Sequence, residues 1–124
     1  MLNKIILQGR LVRDPELRHT AAGTPVASFS LAVPRNYSKD KETDFFDCIA
    51  WGHTGEFVSR NFTQGQLVCL DGRLQRRLWT SNEGHRRYSY EIIVESAYFA
   101  GSKANTRPAV APADYDPLAY ELAA

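Results

Sequence analysis

The residues with the most chemistry to offer lie between Gly72 and Tyr90. Five arginines, Arg73, Arg76, Arg77, Arg86 and Arg87, share this stretch with a single acid, Glu83, and with Trp79. Ser81, Asn82, Glu83 and Gly84 make a turn signal, because Asn and Gly tolerate positive φ. Two strands are expected around that turn, and strand side chains alternate between faces. Arg73, Gln75, Arg77 and Trp79 then point one way, and Leu74, Arg76 and Leu78 the other. After the turn, Tyr88, Tyr90, Ile92 and Val94 share a face. Guanidinium groups beside a large flat ring suit a ligand that is anionic along its length and exposes aromatic faces, as a single nucleic-acid strand does. A solvated strand face with a buried Trp has the same pattern, so the hairpin alone leaves both readings open.

The rest of the chain supplies the elements that must hold this hairpin. Asn3–Val12 reads as a strand in which Ile5, Leu7 and Leu11 alternate with Lys4, Ile6, Gln8 and Arg10, and Gly9 marks an expected bulge or sharp bend. Arg13–Arg18 is a break around Pro15, and His19–Pro25 a loop with Gly23 at its tip. Val26–Val33 is a second strand, with Ala27, Phe29, Leu31 and Val33 inward. A charged loop from Arg35 to Thr43 carries Tyr37. In the third strand, Asp44–Trp51, Phe46, Cys48 and Ala50 lie on one face, and Phe45, Asp47, Ile49 and Trp51 on the other. Aromatic rings on both faces of one strand point to an interface, a ligand surface or a second layer. Thr54–Thr63 reads as a helix, with Thr54 as cap, Glu56 in the first turn and an apolar stripe of Phe57, Val58 and Phe62; Gly65 fits just past its end. Leu67–Thr80 is the fourth strand, and the fifth ends near Phe99.

This order predicts an all-β fold, a five-stranded OB-fold barrel with one short helix between strands 3 and 4. A small open α+β sandwich is the alternative. From Gly101 onward, small residues, three prolines and isolated acids replace the periodic pattern. The chain is expected to divide into a folded domain, residues 1–103, and a disordered acidic tail, residues 104–124.

Composition narrows the function. At 124 residues and 44% hydrophobic, the chain has enough apolar content for one core, and no apolar run reaches the length of a membrane span. It opens directly into an alternating strand, so no leader and a cytoplasmic location are expected. The net charge of +1 hides a split: residues 1–103 carry 14 basic and 11 acidic side chains, whereas residues 104–124 carry Arg107 against three acids. A mildly basic body hints at an anionic partner. Cys48 and Cys69 are far apart, and His19, His53 and His85 have no ligand spacing to them, so neither a metal site nor a cofactor is expected; both cysteines read as buried free thiols. A phosphate-cradling glycine loop and any recognisable nucleophile–base arrangement are absent, which argues against an enzyme.

The segments Asn3-Lys-Ile-Ile-Leu-Gln-Gly-Arg-Leu11, Asp14-Pro-Glu-Leu-Arg18, Phe45-Phe-Asp-Cys-Ile-Ala-Trp-Gly52, Gly72-Arg-Leu-Gln-Arg-Arg-Leu-Trp-Thr80 and Gly84-His-Arg-Arg-Tyr88 occur in that order. With this ordered set, the chain resembles the bacterial single-stranded DNA-binding proteins over residues 1 to about 103. The resemblance implies an OB-fold, a homotetramer, and single-stranded DNA wrapped over the outer surface without strong sequence preference. It also implies a role at the nucleoid in replication, recombination and repair, in a bacterial or phage-encoded member. By position, the family's stacking aromatics correspond to Tyr37, Phe45, Trp51 and Trp79, with Tyr88 added from the second arm of the hairpin. Phe45 stands where many relatives have Trp, and Trp51 where many have Phe; each swap keeps a π-face. Lys4, Arg10, Arg35, Arg73, Arg77, Arg86 and Arg87 are the expected phosphate contacts. The tail departs from the family pattern. Asp114, Asp116 and Glu121 are spread out and Ala124 is the last residue, where relatives end in an acidic run closed by Pro-Phe that recruits repair and replication proteins. The rival readings are an RNA-binding OB protein and a primosome-type OB module that binds proteins.

Overall fold

Antiparallel pairing of apolar-alternating strands builds the fold. The computed structural model describes residues 1–37 and 39–101. Within them lie β1 (Ile5–Leu11), β2 (Glu16–His19), β3 (Pro25–Pro34), β4 (Thr43–Trp51), α1 (Gly52–Asn61), β5 (Leu67–Thr80) and β6 (Arg86–Phe99). The sheet order is β1-β5-β6-β4-β3-β2, and an additional β1–β3 pairing closes five of these strands into a ring. All neighbours are antiparallel except β4 and β6, which run parallel through Cys48–Ile92 and Ile49–Ile93. This is the OB-fold expected from the element order.

The inner face of each strand fills the barrel. Leu11, Ala27, Leu31, Cys48, Ala50, Val68, Leu70 and Ile92 are buried there, and Val58 of α1 and Phe62, its C-cap, close one end. Deep burial pushes the Cys48 thiol well above its ordinary range. Phe99 meets Phe57 and Phe62 edge-on, with centroids 5.8 and 5.5 Å apart, so the end of β6 is tied to the helix. Cys69 is free like Cys48 but only half-buried, because its β5 position faces outward.

Four local expectations change. A sixth strand, β2, forms where a break and a loop were expected: Glu16–His19 pair with Pro25–Ser28 beneath a turn in which Thr20 donates its N–H to the Thr24 carbonyl and Gly23 takes φ 86°. All four β2 residues are exposed, so this edge strand shows no apolar alternation to read. The helix begins at Gly52 rather than Thr54. Trp51 is its N-cap without a side-chain hydrogen bond, no acid sits in its first turn, and Gly52 at φ 62° makes the strand-to-helix turn. Gly65 does not follow the helix directly. It turns at φ 82° and donates its N–H to the Leu11 carbonyl. Gly9 lies in regular pairing with Val68; it is small because β1 crosses close to β3 there, and a Cβ would come 2.7 Å from the Ala32 carbonyl oxygen.

The one register shift falls between Asp71 and Gly72, opposite Glu95. Beyond it β5 and β6 stay in the barrel as far as Leu74–Ile92, and then leave it as a two-stranded arm that ends in the Ser81–Gly84 turn. Asn3 extends the ladder at the base of the arm. Its amide donates to the Leu74 carbonyl at 2.8 Å and accepts from the Leu74 N–H at 3.0 Å, so one side chain does the work of a paired peptide. A Cβ on Gly72 would run into the Ile93 carbonyl oxygen. Gly72→Ala is therefore expected to destabilise the domain by about 1–3 kcal/mol in urea unfolding, as overpacking against backbone does. An unchanged midpoint would mean that the bulge relaxes freely.

Candidate nucleic-acid interface

Residues paired across strands share a face, so register decides which side chains meet. On the outer face, Ser28 pairs with Ile49, Ile49 with Ile93, and Ile93 with Arg73. The next row holds Ser30 opposite Asp47 and Glu91 opposite Gln75. Arg77 opposite Ser89, and then Trp79 opposite Arg87, continue this face up the arm. Trp51, paired with Val26, lies at its other end and is 48% exposed. One outward surface thus carries Trp51, Arg73, Arg77, Trp79 and Arg87. The indole N–H of Trp79 is covered and finds no acceptor among the described residues.

Other expected site residues stand elsewhere. Tyr88 and Arg86 pair with Leu78 and Thr80, on the face of the arm opposite Trp79. The cause is parity: Tyr88 is one residue from Arg87, and neighbours on a strand point apart. There the Arg76 guanidinium lies 5.4 Å from the centre of the Tyr88 ring, and Tyr88 meets Tyr90 edge-on at 5.9 Å. Phe45 is on the outer face but only 8% exposed, packed with Val12 and Ala32, so it is surface packing rather than an open stacking platform. Arg35 is held by acids. Its Nε and Nη2 donate to the two Asp44 carboxylate oxygens at 2.9 and 2.8 Å, and Nη1 donates to Glu42. That hydrogen-bonded pair raises the guanidinium's affinity for its proton and holds the Asp44 carboxyl below its ordinary range. A phosphate would have to displace two carboxylates to reach Arg35. Lys4 lies 3.6 Å from Asp71 and 3.9 Å from Glu95, and Arg10 donates to the Gly65 carbonyl at 3.1 Å. Tyr37 stands in the β3–β4 turn, 87% exposed and clear of the sheet. The expected tail, residues 104–124, lies outside the described residues.

Sequence reading passed over two carboxylates in the middle of this face. Asp47 accepts the Ser30 hydroxyl at 2.9 Å. Burial pushes the Glu91 carboxyl above its ordinary range; Asp47 adds to the rise and Arg77 opposes it. Parity alone puts Asp47 beside Ile49, but bringing it next to Glu91 takes the parallel β4–β6 contact between residues 44 apart in the chain, which no local pattern encodes.

The description "Single-strand binding protein family" is that of the family model matching residues 2–100. The chain belongs to this family. Membership makes it a binding protein and not an enzyme. It is 44% identical over 108 residues to single-stranded DNA-binding protein 3 of Listeria innocua, covering 85% of this chain and 68% of that protein. Single-stranded DNA-binding protein of Halalkalibacterium halodurans is 44% identical over 102 residues, 80% of this chain and 61% of the relative. Single-stranded DNA-binding protein A of Bacillus subtilis is 42% identical over 106 residues, 83% of this chain and 62% of the relative. The chain thus spans about three fifths to two thirds of the length of these curated relatives. Among the described residues no helix is long and apolar enough to cross a membrane, and no group of three or more His, Cys, Asp or Glu is placed to hold a metal ion.

The raised Glu91 carboxyl gives a sign for stability. A carboxyl that holds its proton more tightly when folded favours folding at low pH, and that contribution fades as pH rises through its folded-state titration. Glu91→Gln is expected to raise the thermal midpoint at pH 7 and to leave it unchanged near about pH 4, where the carboxyl is largely protonated in both states. A Glu91→Gln protein that melts lower at pH 7 would show that attraction to Arg77 outweighs desolvation.

Proposed function

We propose that this chain binds single-stranded DNA without strong sequence preference. Bases stack on Trp51 and Trp79, and Arg73, Arg77 and Arg87 hold the phosphates between and beside them. The observation that carries this reading is the shared outward face of two indoles and three guanidiniums. The curated relatives' names, all single-stranded DNA-binding proteins, support it. Stacking is sequence-tolerant because every base has a π-face, and phosphate contacts carry no base information. Tyr37, fully exposed in its turn, is a further ring that a wrapped strand reaches. Residues 1–103 form the binding domain, and residues 104–124, with Arg107 against three acids, are an acidic tail. The protein acts in the cytoplasm at the nucleoid, covering DNA exposed during replication, recombination and repair.

The same proposal includes a homotetramer. Leu74, Leu78, Tyr88 and Tyr90 form an exposed apolar strip on the arm face opposite the indoles, 39–56% exposed. Such a strip on a two-stranded arm costs solvation until a second copy covers it, and covering it leaves the outer face open for DNA.

Oligo-dT is expected to quench the intrinsic Trp fluorescence of the full chain. Trp79→Ala should lose about 1–3 kcal/mol of binding, the cost of one stacked base, while keeping its unfolding midpoint. Wild-type affinity in that variant would remove Trp79 from the path, and loss of folding would make it a packing residue.

Salt dependence tests the cations. Each phosphate neutralised contributes about −0.7 to the slope of log K against log salt for a single strand. Arg77→Ala and Arg87→Ala are each expected to flatten the slope by about that amount. A slope unchanged in both would move the DNA path off this face. A matched RNA oligomer that binds as tightly as DNA would favour an RNA ligand instead.

A further inference from the structure

The β3–β4 connection is tied shut at its base. Pro34 and Thr43 are the last strand pair, and outside them the Arg35 N–H donates to the Glu42 carbonyl at 2.8 Å. The Arg35 side chain closes the same gap again. Its Nε and Nη2 donate to the two Asp44 carboxylate oxygens at 2.9 and 2.8 Å, and its Nη1 donates to Glu42. A guanidinium forked on a carboxylate fixes a direction as well as adding attraction, which an ordinary surface ion pair does not. Lys41, next to Glu42, turns at φ 52°, in the left-handed region where a lysine persists only if its surroundings over-determine it. The two closures beside it supply that constraint.

What this clamp holds is Tyr37. The ring stands two residues beyond Arg35, in the turn and outside the strand pairing, and is 87% exposed. A stacking ring on an unpinned loop is ordered only by the base it receives, and that ordering subtracts from affinity. A ring whose loop is pinned beforehand has met the cost in folding. We infer that Arg35, Asp44 and Glu42 are positioning residues that fix the β3–β4 loop so that Tyr37 is presented to single-stranded DNA, and that Arg35 serves binding through Tyr37 and not through a phosphate. This rests on the proposed DNA binding, with Tyr37 on the path. It gives the two acids a role opposite to the one their charge implies. A carboxylate beside a DNA path repels phosphate, yet removing Asp44 weakens binding, because the loop loses its fork.

The experiment is a fluorescence titration of the full chain with oligo-dT over a range of salt. The proteins are the wild type, Arg35→Ala, Arg35→Lys, Asp44→Asn and Tyr37→Ala, and each clamp variant combined with Tyr37→Ala. Three clamp variants at partly exposed positions keep the test decisive if one fails to fold. Each is expected to bind about five- to thirtyfold more weakly, the cost of fixing one residue's backbone at binding instead of beforehand. Asp44→Asn weakens binding although it removes a negative charge. Arg35→Lys weakens it although it keeps the positive one, because an ammonium cannot make the fork. The slope of log K against log salt stays at the wild-type value in all three. In the Tyr37→Ala background the same substitutions are expected to cost nothing further, a coupling that a general loss of stability would not produce. Tighter binding by Asp44→Asn, or a slope flattened by about 0.7 in Arg35→Ala and kept in Arg35→Lys, would make Arg35 a phosphate contact and overturn the inference. Losses of equal size with and without Tyr37 would overturn it too. Wild-type affinity in Tyr37→Ala would overturn it and leave the reading of Trp51 and Trp79 standing, whereas a wild type that does not bind oligo-dT would overturn both.

Discussion

The ladder from Val68–Phe99 to Thr80–Arg86 serves two structures at once. Near the barrel its inner side is core, with Val68, Leu70 and Ile92 buried. Past the Leu74–Ile92 pair, where contact with β4 ends, it becomes an arm with solvent on both sides. Because side-chain direction alternates along a strand, one slipped residue would send Trp79 and Arg77 to the opposite face and bring Leu78 and Arg76 out in their place. Gly72 guards that register, since its hydrogen lies where any side chain would strike the Ile93 carbonyl. The Asn3 amide pins the adjacent Leu74 peptide from the other side. Trp79, Glu91 and the three guanidiniums of the outer face all depend on this pairing.

Charge on that face is arranged rather than accumulated. Arg35, Lys4 and Arg10 read as free cations in the sequence, yet each already serves the fold: Arg35 ties the ends of the β3–β4 connection through Asp44 and Glu42, Lys4 sits between Asp71 and Glu95, and Arg10 reaches the Gly65 carbonyl. On the arm, Arg73, Arg77 and Arg87 look outward. A long flexible side chain on a two-stranded arm loses little packing when it swings to a phosphate, whereas Arg35 must give up a bidentate carboxylate pair first.

The two faces of the arm divide labour by polarity. Outward, the guanidiniums keep water or phosphate around them. On the opposite face, Leu74, Leu78, Tyr88 and Tyr90 are exposed rings and alkyl chains, with Arg76 lying over Tyr88. An arm of two strands has no third layer to cover such a strip, so its stability as a separate element depends on what comes to rest against it. The unpaired stretch of β1, which meets β5 on one side but β3 only through Arg10 and Leu11, is a further open edge on the same body.

The sequence by itself determined the barrel's wall and the sidedness of its strands. Alternation in Val26–Val33, Asp44–Trp51 and Leu67–Thr80 survives folding because one buried face pins every second residue. Turn chemistry at Asn82 and Gly84 likewise placed the arm, and the segments around Gly9, Trp51 and Trp79 carried the family. The tertiary structure decided what no local pattern holds. β2 has no buried face and so no period, and it exists only because β3 offers its edge. The helix start depends on how β4 turns at Gly52, not on a capping side chain. Phe45 became packing because Val12 arrives from just past the end of β1, 33 residues away. Tyr88 and Trp79 look equally aromatic in a string of letters; pairing across the turn put them on opposite faces. Asp47 and Glu91 meet across a parallel contact between strands separated by the helix and all of β5, and their meeting set two carboxylates into a cationic face.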